Sequence, residues 1–135
     1  MKIAAFGVTV LALVAGCDQG PHFLGRRVRA IELRGSSRIE RDSVFTRTAR
    51  LIATQDVHAF LAGLELVPRK PIRLTASEGM IVYTDKDSLV CGVSDGTVYH
   101  LDAAGTSWYK VSPRFYERFT ATLDNVGRDH ARPIR

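Results

Sequence analysis

Few side chains in the sequence combine a reactive type with a spacing that supports catalysis or metal binding. The 135 residues include two cysteines, Cys17 and Cys91, and four histidines, which lie far apart at positions 22, 58, 100 and 130. A zinc site needs three or four ligands, and the sequence contains no phosphate-binding loop, dinucleotide-binding fingerprint or nucleophile elbow. We therefore expect no catalytic residue, no metal site and no cofactor.

Cys17 follows an apolar run that is preceded by Met1 and the basic Lys2. The run covers Ile3 to Gly16, fourteen residues without a charge, and it ends in small side chains. Such an arrangement is typical of a secretory signal, whereas a transmembrane helix needs about twenty apolar residues. The segment Leu13-Val14-Ala15-Gly16-Cys17 resembles the lipobox of bacterial lipoproteins.

This resemblance implies that residues 1–16 are a signal peptide and that Cys17 becomes the first residue of the mature chain. Its thiol would carry a diacylglycerol thioether and its new amino group a fatty acid such as palmitate, which together hold the protein in a membrane. Asp18 resembles the residue that keeps enterobacterial lipoproteins in the inner membrane. We therefore expect an anchor in the inner membrane, facing the periplasm, in preference to the outer membrane.

Lipidation of Cys17 would leave Cys91 without a disulfide partner inside the chain. Cys91 lies in the apolar stretch Ser88–Val93, which favours a buried, unreactive thiol, although an intermolecular role stays open. Cys91 and His100 lie on adjacent predicted strands and could meet across the hairpin. Two ligands do not make a zinc site.

The composition excludes two broad classes of protein. With 45% hydrophobic and 24% charged residues, the chain is too apolar to be disordered and too polar to cross a membrane many times. A formal net charge of +5 is modest, so we expect no nucleic-acid partner. The length fits one domain. We place this domain at residues 26–127, between a lipidated tether at 17–25 and a polar C-terminal tail at 128–135 that we expect to fray.

Hydrophobic periodicity predicts an α+β fold, in which an antiparallel β-meander packs with about two α-helices in a single small domain. Apolar and polar residues alternate over Val28–Arg34, as in a half-buried strand. Asp95-Gly96 lies between two apolar runs, a strong hairpin signal because both residues tolerate a positive φ. Further strands are predicted at 72–76, 80–84, 89–93, 97–101 and 108–111.

Residues 36–53 are compatible with either a helix or a strand. The pattern Ser37-x-x-Glu40 is typical of a capping box at the start of a helix. Residues 45–52, in contrast, are rich in strand formers and partly alternate. We favour a strand over 45–53.

Two stretches have the apolar spacing of helices. The first follows Thr54, a suitable N-cap, and has the apolar residues Val57, Phe60, Leu61 and Leu64. The second follows Ser112 and Pro113, which are typical of an N-cap and a first helical residue. Its apolar residues are Phe115, Phe119 and Leu123.

Aromatic side chains cluster in the predicted meander and are the candidate partner-binding residues. They are Tyr83, Tyr99, Trp108 and Tyr109. Aromatic residues and arginine are enriched at the centres of protein interfaces, but the same residues could fill the core between sheet and helices. The stretch Arg26-Arg27-x-Arg29 could likewise contact anionic lipid headgroups or form a solvated strand end.

The sequence as a whole predicts a lipid-anchored protein of the cell envelope that acts as a periplasm-facing binding module and not as an enzyme. Its partners would be the membrane, through Cys17, and a protein in the envelope. An inhibitor or immunity protein for a cell-wall-active effector is the first interpretation, from its similarity in plan to small inhibitory lipoproteins. A non-catalytic subunit or assembly factor of an envelope complex is the alternative.

Mass spectrometry of the protein isolated from its native membrane tests the lipobox interpretation. We expect a mature chain that begins at Cys17 and carries acyl groups, because peptidase cleavage follows transfer of the diacylglycerol to the thiol. A mature chain that begins at another residue, or one without fatty acids, would contradict this interpretation.

Overall fold

The computed structural model describes residues 20–134, and in this range the chain forms one nine-stranded sheet and two helices. The strands are β1 His22–Phe23, β2 Arg26–Glu40, β3 Ser43–Leu51, β4 Val67–Pro68, β5 Glu78–Thr84, β6 Ser88–Ser94, β7 Thr97–Asp102, β8 Gly105–Lys110 and β9 Arg128–Pro133. The helices are α1 Thr54–Leu61 and α2 Pro113–Val126. The predicted α+β class is confirmed.

Each pairing within this sheet is antiparallel. The order is β4-β8-β7-β6-β5-β2-β3-β9, and β1 pairs with β2 outside that path. Strands β5 to β8 form the predicted meander, and the turn at Asp95-Gly96 joins β6 to β7 as expected, with Gly96 at φ 82°. Strand β2 pairs on both sides and joins the meander to the β2–β3 hairpin.

The core lies between the helices and one side of the sheet, which we call the helix face. Ile31 and Leu33 of β2 project to this face and are fully buried, and they lie opposite Val82 and Met80 of β5. The helices supply the core residues predicted from their spacing except Leu64, which lies after the end of α1 and is partly buried. The rings of Phe60 in α1 and Phe115 in α2 meet edge to face. The other side, the open face, carries the residues between those of the core, such as Glu32 and Ile81.

Residues 36–40 and 43–51 form strands, which confirms the favoured alternative of a strand, although this strand ends at Leu51 and not at residue 53. Strand β2 continues to Glu40 and β3 begins at Ser43, so the Ser37-x-x-Glu40 pattern lies within a strand and does not cap a helix. The β2–β3 register shifts between Arg34 and Ser37, which places a bulge at Gly35-Ser36. Long-range pairing to β3 therefore overrides a local helix signal.

Both helix starts can be compared with their predicted caps. The Ser112 hydroxyl accepts a hydrogen bond from the Arg114 amide at 3.2 Å, as expected, with Pro113 as the first helical residue. Thr54 is instead the first residue of α1, and the N-cap is Ala53, whose side chain makes no capping bond. The predicted Thr54 cap is therefore wrong by one position.

Three predicted segments differ from the structure. Residues 72–76 form no strand; the chain there crosses the open face, as described below. The tail predicted at 128–135 forms β9 over residues 128–133, because β3 offers an unpaired edge to it. The tether predicted at 17–25 is too long, since Pro21 is buried, Phe23 is 2% exposed and both belong to the domain. Residues 17–19 lie outside the described range.

Replacing Phe119 with alanine tests the core. The side chain is fully buried on the helix face, so we expect Phe119→Ala to lower the free energy of unfolding by about 3–5 kcal/mol, measured by urea denaturation. Replacing the exposed Arg114 of the same helix with alanine should change it by no more than about 0.5 kcal/mol. Equal losses for the two variants would contradict this assignment of the core.

Candidate functional site

An apolar row crosses the middle of the open face. Ile81 of β5, Val90 of β6 and Leu101 of β7 lie directly opposite one another in register. Val90 is 45% exposed and Leu101 is 47% exposed. Because these side chains point away from the core, they form an apolar strip, half-buried at Ile81 and exposed at Val90 and Leu101, on a sheet whose other side is already covered by helices.

The four candidate aromatic residues do not form one platform. Tyr99 and Trp108 lie opposite each other on β7 and β8, with ring centroids 4.7 Å apart, and both lie on the open face. Tyr83 lies on the same face but on β5, where the Arg50 guanidinium lies over its ring at 5.6 Å from the centroid. Tyr109 pairs with the buried Val98 and therefore projects to the helix face. The structure brings together two of the four.

A glycine of β6 fixes the position of the Tyr99 ring. Gly92 lies opposite Tyr99, and a Cβ atom at Gly92 would come within 2.1 Å of the ring. Any larger side chain would therefore displace the ring and its contact with Trp108. The small residue at this position permits the Tyr99 ring to lie against the backbone of β6.

The segment 69–77 covers one end of the open face. The Arg69 guanidinium donates a hydrogen bond to the Thr97 hydroxyl at 3.2 Å, and the Ala76 amide donates one to the Tyr99 hydroxyl at 3.2 Å. Thr97 is consequently only 3% exposed although it faces away from the core. These contacts explain why residues 72–76 leave the sheet despite their strand-like sequence.

A polar groove of about 460 Å³ lies at the other end of the open face, over β2, β3 and β9. Its polar side chains come from all three strands: Glu32, Arg34, Ser37, Thr46, Thr48, His130 and Arg132. Thr46 pairs with His130, and Ser37 pairs with Thr46, so these side chains project to one side of the sheet. The Ser37 and Thr46 hydroxyls are hydrogen-bonded at 2.6 Å.

Positive charge predominates around this polar groove. The Arg34 guanidinium donates to the Glu32 carboxylate at 2.9 Å. Arg50 lies opposite Glu32, and Arg128 lies opposite Thr48, so both project to the open face beside the groove. Together with Arg132, which lines the groove, these residues make four arginines and one glutamate in the groove and along its border.

The opposite side of the same strands has balanced charges, because Arg38 and Arg47 are matched there by Glu40 and Asp129. Asp129 of β9 accepts hydrogen bonds from Arg38 of β2 at 2.9 Å and from Arg47 of β3 at 3.2 Å. The bond from Arg38, followed by that from Arg47, lowers the pKa of the Asp129 carboxyl. The Asp129 carboxylate thus links β9 to β2 and β3, and it holds β9 in place at the outer side of the groove.

Cys91 and His100 are neighbours across the β6–β7 hairpin, as the sequence predicted. Both are buried on the helix face, and burial raises the pKa of the Cys91 thiol to about 12. The thiol is therefore neutral at physiological pH and a poor nucleophile. Within residues 20–134 no group of three His, Cys, Asp or Glu side chains could hold a metal ion.

The basic start of β2 and the acidic turn after β5 are bound to each other. Arg26 and Asp87 form an ion pair at 3.2 Å, and Arg29 and Asp85 form one at 2.5 Å. The hydrogen bond from Arg29 lowers the pKa of Asp85. Arg26 and Arg29, which the sequence offered as headgroup contacts, are thus engaged within the domain.

Sequence analysis missed the polar groove because its residues come from three separate segments. The signal that could have revealed it is the alternation Arg128-x-His130-x-Arg132, which places cationic side chains on one face of a strand. The predicted lipidation and sorting residues, Cys17 and Asp18, lie outside the described residues.

No protein-family model matches the chain, and neither does any curated protein or solved structure. In the described part of the chain, neither helix is long and apolar enough to span a bilayer.

Replacing Asp129 with asparagine tests how β9 is held. Because the folded-state pKa of Asp129 is lower than its unfolded value of about 3.9, the carboxylate stabilises the fold above that pH. This contribution is lost as the pH falls through the folded-state pKa. We expect the urea midpoints of wild type and Asp129→Asn to differ most above about pH 5 and to converge toward about pH 2.

The matched control is Asp124→Asn, which removes an exposed carboxylate from α2. This variant should show no comparable pH-dependent difference from wild type. A constant difference between wild type and Asp129→Asn across the pH range would contradict the role of the two arginines.

Proposed function

We propose that the protein is a lipid-anchored, periplasm-facing binding module of the bacterial cell envelope, and that its open face binds a protein partner. The observation that carries the proposal is the exposed apolar row of Ile81, Val90 and Leu101. The aromatic pair lies on one side of it, and Arg50 over Tyr83 lies on the other. Protein interfaces combine these elements, an apolar centre with aromatic residues and arginine.

The position of the helices supports the open face as the binding surface. The helix face is occupied by α1 and α2, so the open face is the side of the sheet on which a partner could make extensive contact. Binding does not require a reactive side chain, and the most nucleophilic candidate, Cys91, is buried and neutral. We therefore propose a binding role and not catalysis.

Inhibition of a cell-wall-active effector is the binding role that the charge of the open face favours. Glycosidases that cleave cell-wall polymers use a pair of carboxyl groups in a cleft. A surface with four arginines around one groove is electrostatically complementary to such a cleft, and complementary charge increases the rate of association. An immunity protein for a secreted effector would use the same chemistry.

Capture of the partner from native membranes tests the proposal. The lipidated wild-type protein, extracted in mild detergent, should retain a specific envelope protein, and a captured cell-wall hydrolase should lose activity when the purified protein is added. The variant Leu101→Glu places a charge in the apolar row at an exposed position. We expect it to bind the captured partner at least about tenfold more weakly, a loss of about 1.4 kcal/mol.

Val126→Glu is the matched control, because Val126 is 56% exposed at the end of α2, on the helical side of the domain. It should bind the partner like wild type. If Val126→Glu loses the partner and Leu101→Glu retains it, the open face is not the binding surface. A partner that is never inhibited, and that remains in a stable membrane complex, would favour the role of a subunit or assembly factor.

A further inference from the structure

We propose that the polar groove over β2, β3 and β9 binds an extended acidic segment of the protein partner through its carboxylates. This inference rests on the proposed binding function and names the chemistry that the partner presents. The groove measures about 460 Å³, enough for several side chains of a peptide. Arg34, His130 and Arg132 line it, and Arg50 and Arg128 border it on the same face.

The two sides of these strands hold their arginines in different ways. On the helix face, Arg38 and Arg47 are both hydrogen-bonded to Asp129. On the open face Glu32 bonds to Arg34 and is the one carboxylate that lines the groove. The positive charge around the groove is therefore largely uncompensated by the described residues. A ligand with several negative charges would neutralise it.

The other side chains of the groove suit a carboxylate ligand. Arginine presents parallel N–H donors that match the two oxygens of a carboxylate. The Thr48 hydroxyl adds a further donor along the same side of the sheet, and so does whichever of the Ser37 and Thr46 hydroxyls accepts the bond between them. A row of such donors on adjacent strands fits successive acidic side chains of an extended segment better than it fits a single ion.

The position of the groove argues against lipid headgroups as its ligand. The described chain begins three residues after the proposed anchor at Cys17 and enters β2 at Arg26. Arg34 lies eight residues further along β2, about 26 Å at the rise of a strand. The groove therefore lies toward the end of β2 that is remote from Gly20, the described residue nearest in sequence to the proposed anchor.

The lining of the groove also argues against a glycan. None of the residues that line it is aromatic. The aromatic pair Tyr99 and Trp108, whose rings are tilted by 34°, lies on β7 and β8, beyond β5 and β6 in the sheet. Strand β9 is at the edge of the sheet, so an extended chain can reach the groove from that side. These features favour a peptide over a polysaccharide.

Fluorescence anisotropy with a fluorescein-labelled hexaglutamate peptide tests the inference on the full lipidated chain in mild detergent. We expect saturable binding that weakens as salt is added, because exposed charges are screened. The variant Arg132→Glu should weaken binding at least tenfold. The matched control Arg114→Glu makes the same charge change at an exposed position on α2 and should weaken binding less than twofold.

Two further probes distinguish the alternative ligands. The binding of wild type and of Arg132→Glu is measured to phosphatidylglycerol vesicles, with phosphatidylcholine vesicles as the reference, and to purified cell-wall sacculi. We expect Arg132→Glu to bind the vesicles and the sacculi as wild type does. If hexaglutamate does not bind, or binds equally to Arg132→Glu, the inference is wrong. If vesicle or sacculus binding depends on Arg132 while hexaglutamate binding does not, the groove recognises lipid or cell wall instead.

The hexaglutamate experiment can fail without the partner-capture experiment failing, and the reverse. Loss of the captured partner in Leu101→Glu, together with absent hexaglutamate binding, would leave the binding module in place and overturn only the acidic ligand. Hexaglutamate binding that depends on Arg132, without any captured partner, would support the groove and contradict the wider proposal.

Discussion

The alternation of side chains along β2 is the constraint on which the rest of the structure depends. This strand pairs with β3 on one side and β5 on the other, and its Ile31 and Leu33 are fully buried. A shift of one residue would expose both and bury Glu32 and Arg34. Burial of two large side chains outweighs any local preference, so the hydrophobic core fixes which residues reach the open face.

The same alternation separates the charged residues of the long hairpin into two sets. The bulge at Gly35-Ser36 shifts the register once, so that Ser37 faces the groove while Arg38 faces Asp129 on the other side. Ion pairs between exposed groups contribute little individually, but here one carboxylate bonds to two strands at once. The balanced side holds β9 in place, and the side with excess positive charge is the one that we propose binds an acidic ligand.

Much of the fold could be predicted because its signals are local. The alternation of apolar and polar residues predicted β2, Asp95-Gly96 predicted the β6–β7 hairpin, and Ser112 predicted the start of α2. Strand β9 could not be predicted in this way, because it is exposed along its whole length and pairs with residues 80 to 90 positions away. The polar groove was missed for the same reason, since one of its walls is β9. Residues 72–76 have strand propensity, yet contacts to Thr97 and Tyr99 direct the segment across the sheet.

The proportion of apolar and charged residues on the open face indicates which kind of partner it could bind. Permanent subunit interfaces are more apolar than those of complexes that form and dissociate. Here the apolar row spans three strands, and a groove with four arginines lies at its end. Such a surface resembles an interface that assembles from soluble partners, with charge to speed the encounter. A lipid anchor would raise the local concentration of the module at the membrane, so that moderate affinity suffices there. The charge of the surface supports the proposed inhibitor over a permanent subunit of a complex, whereas the proposed anchor is compatible with either role.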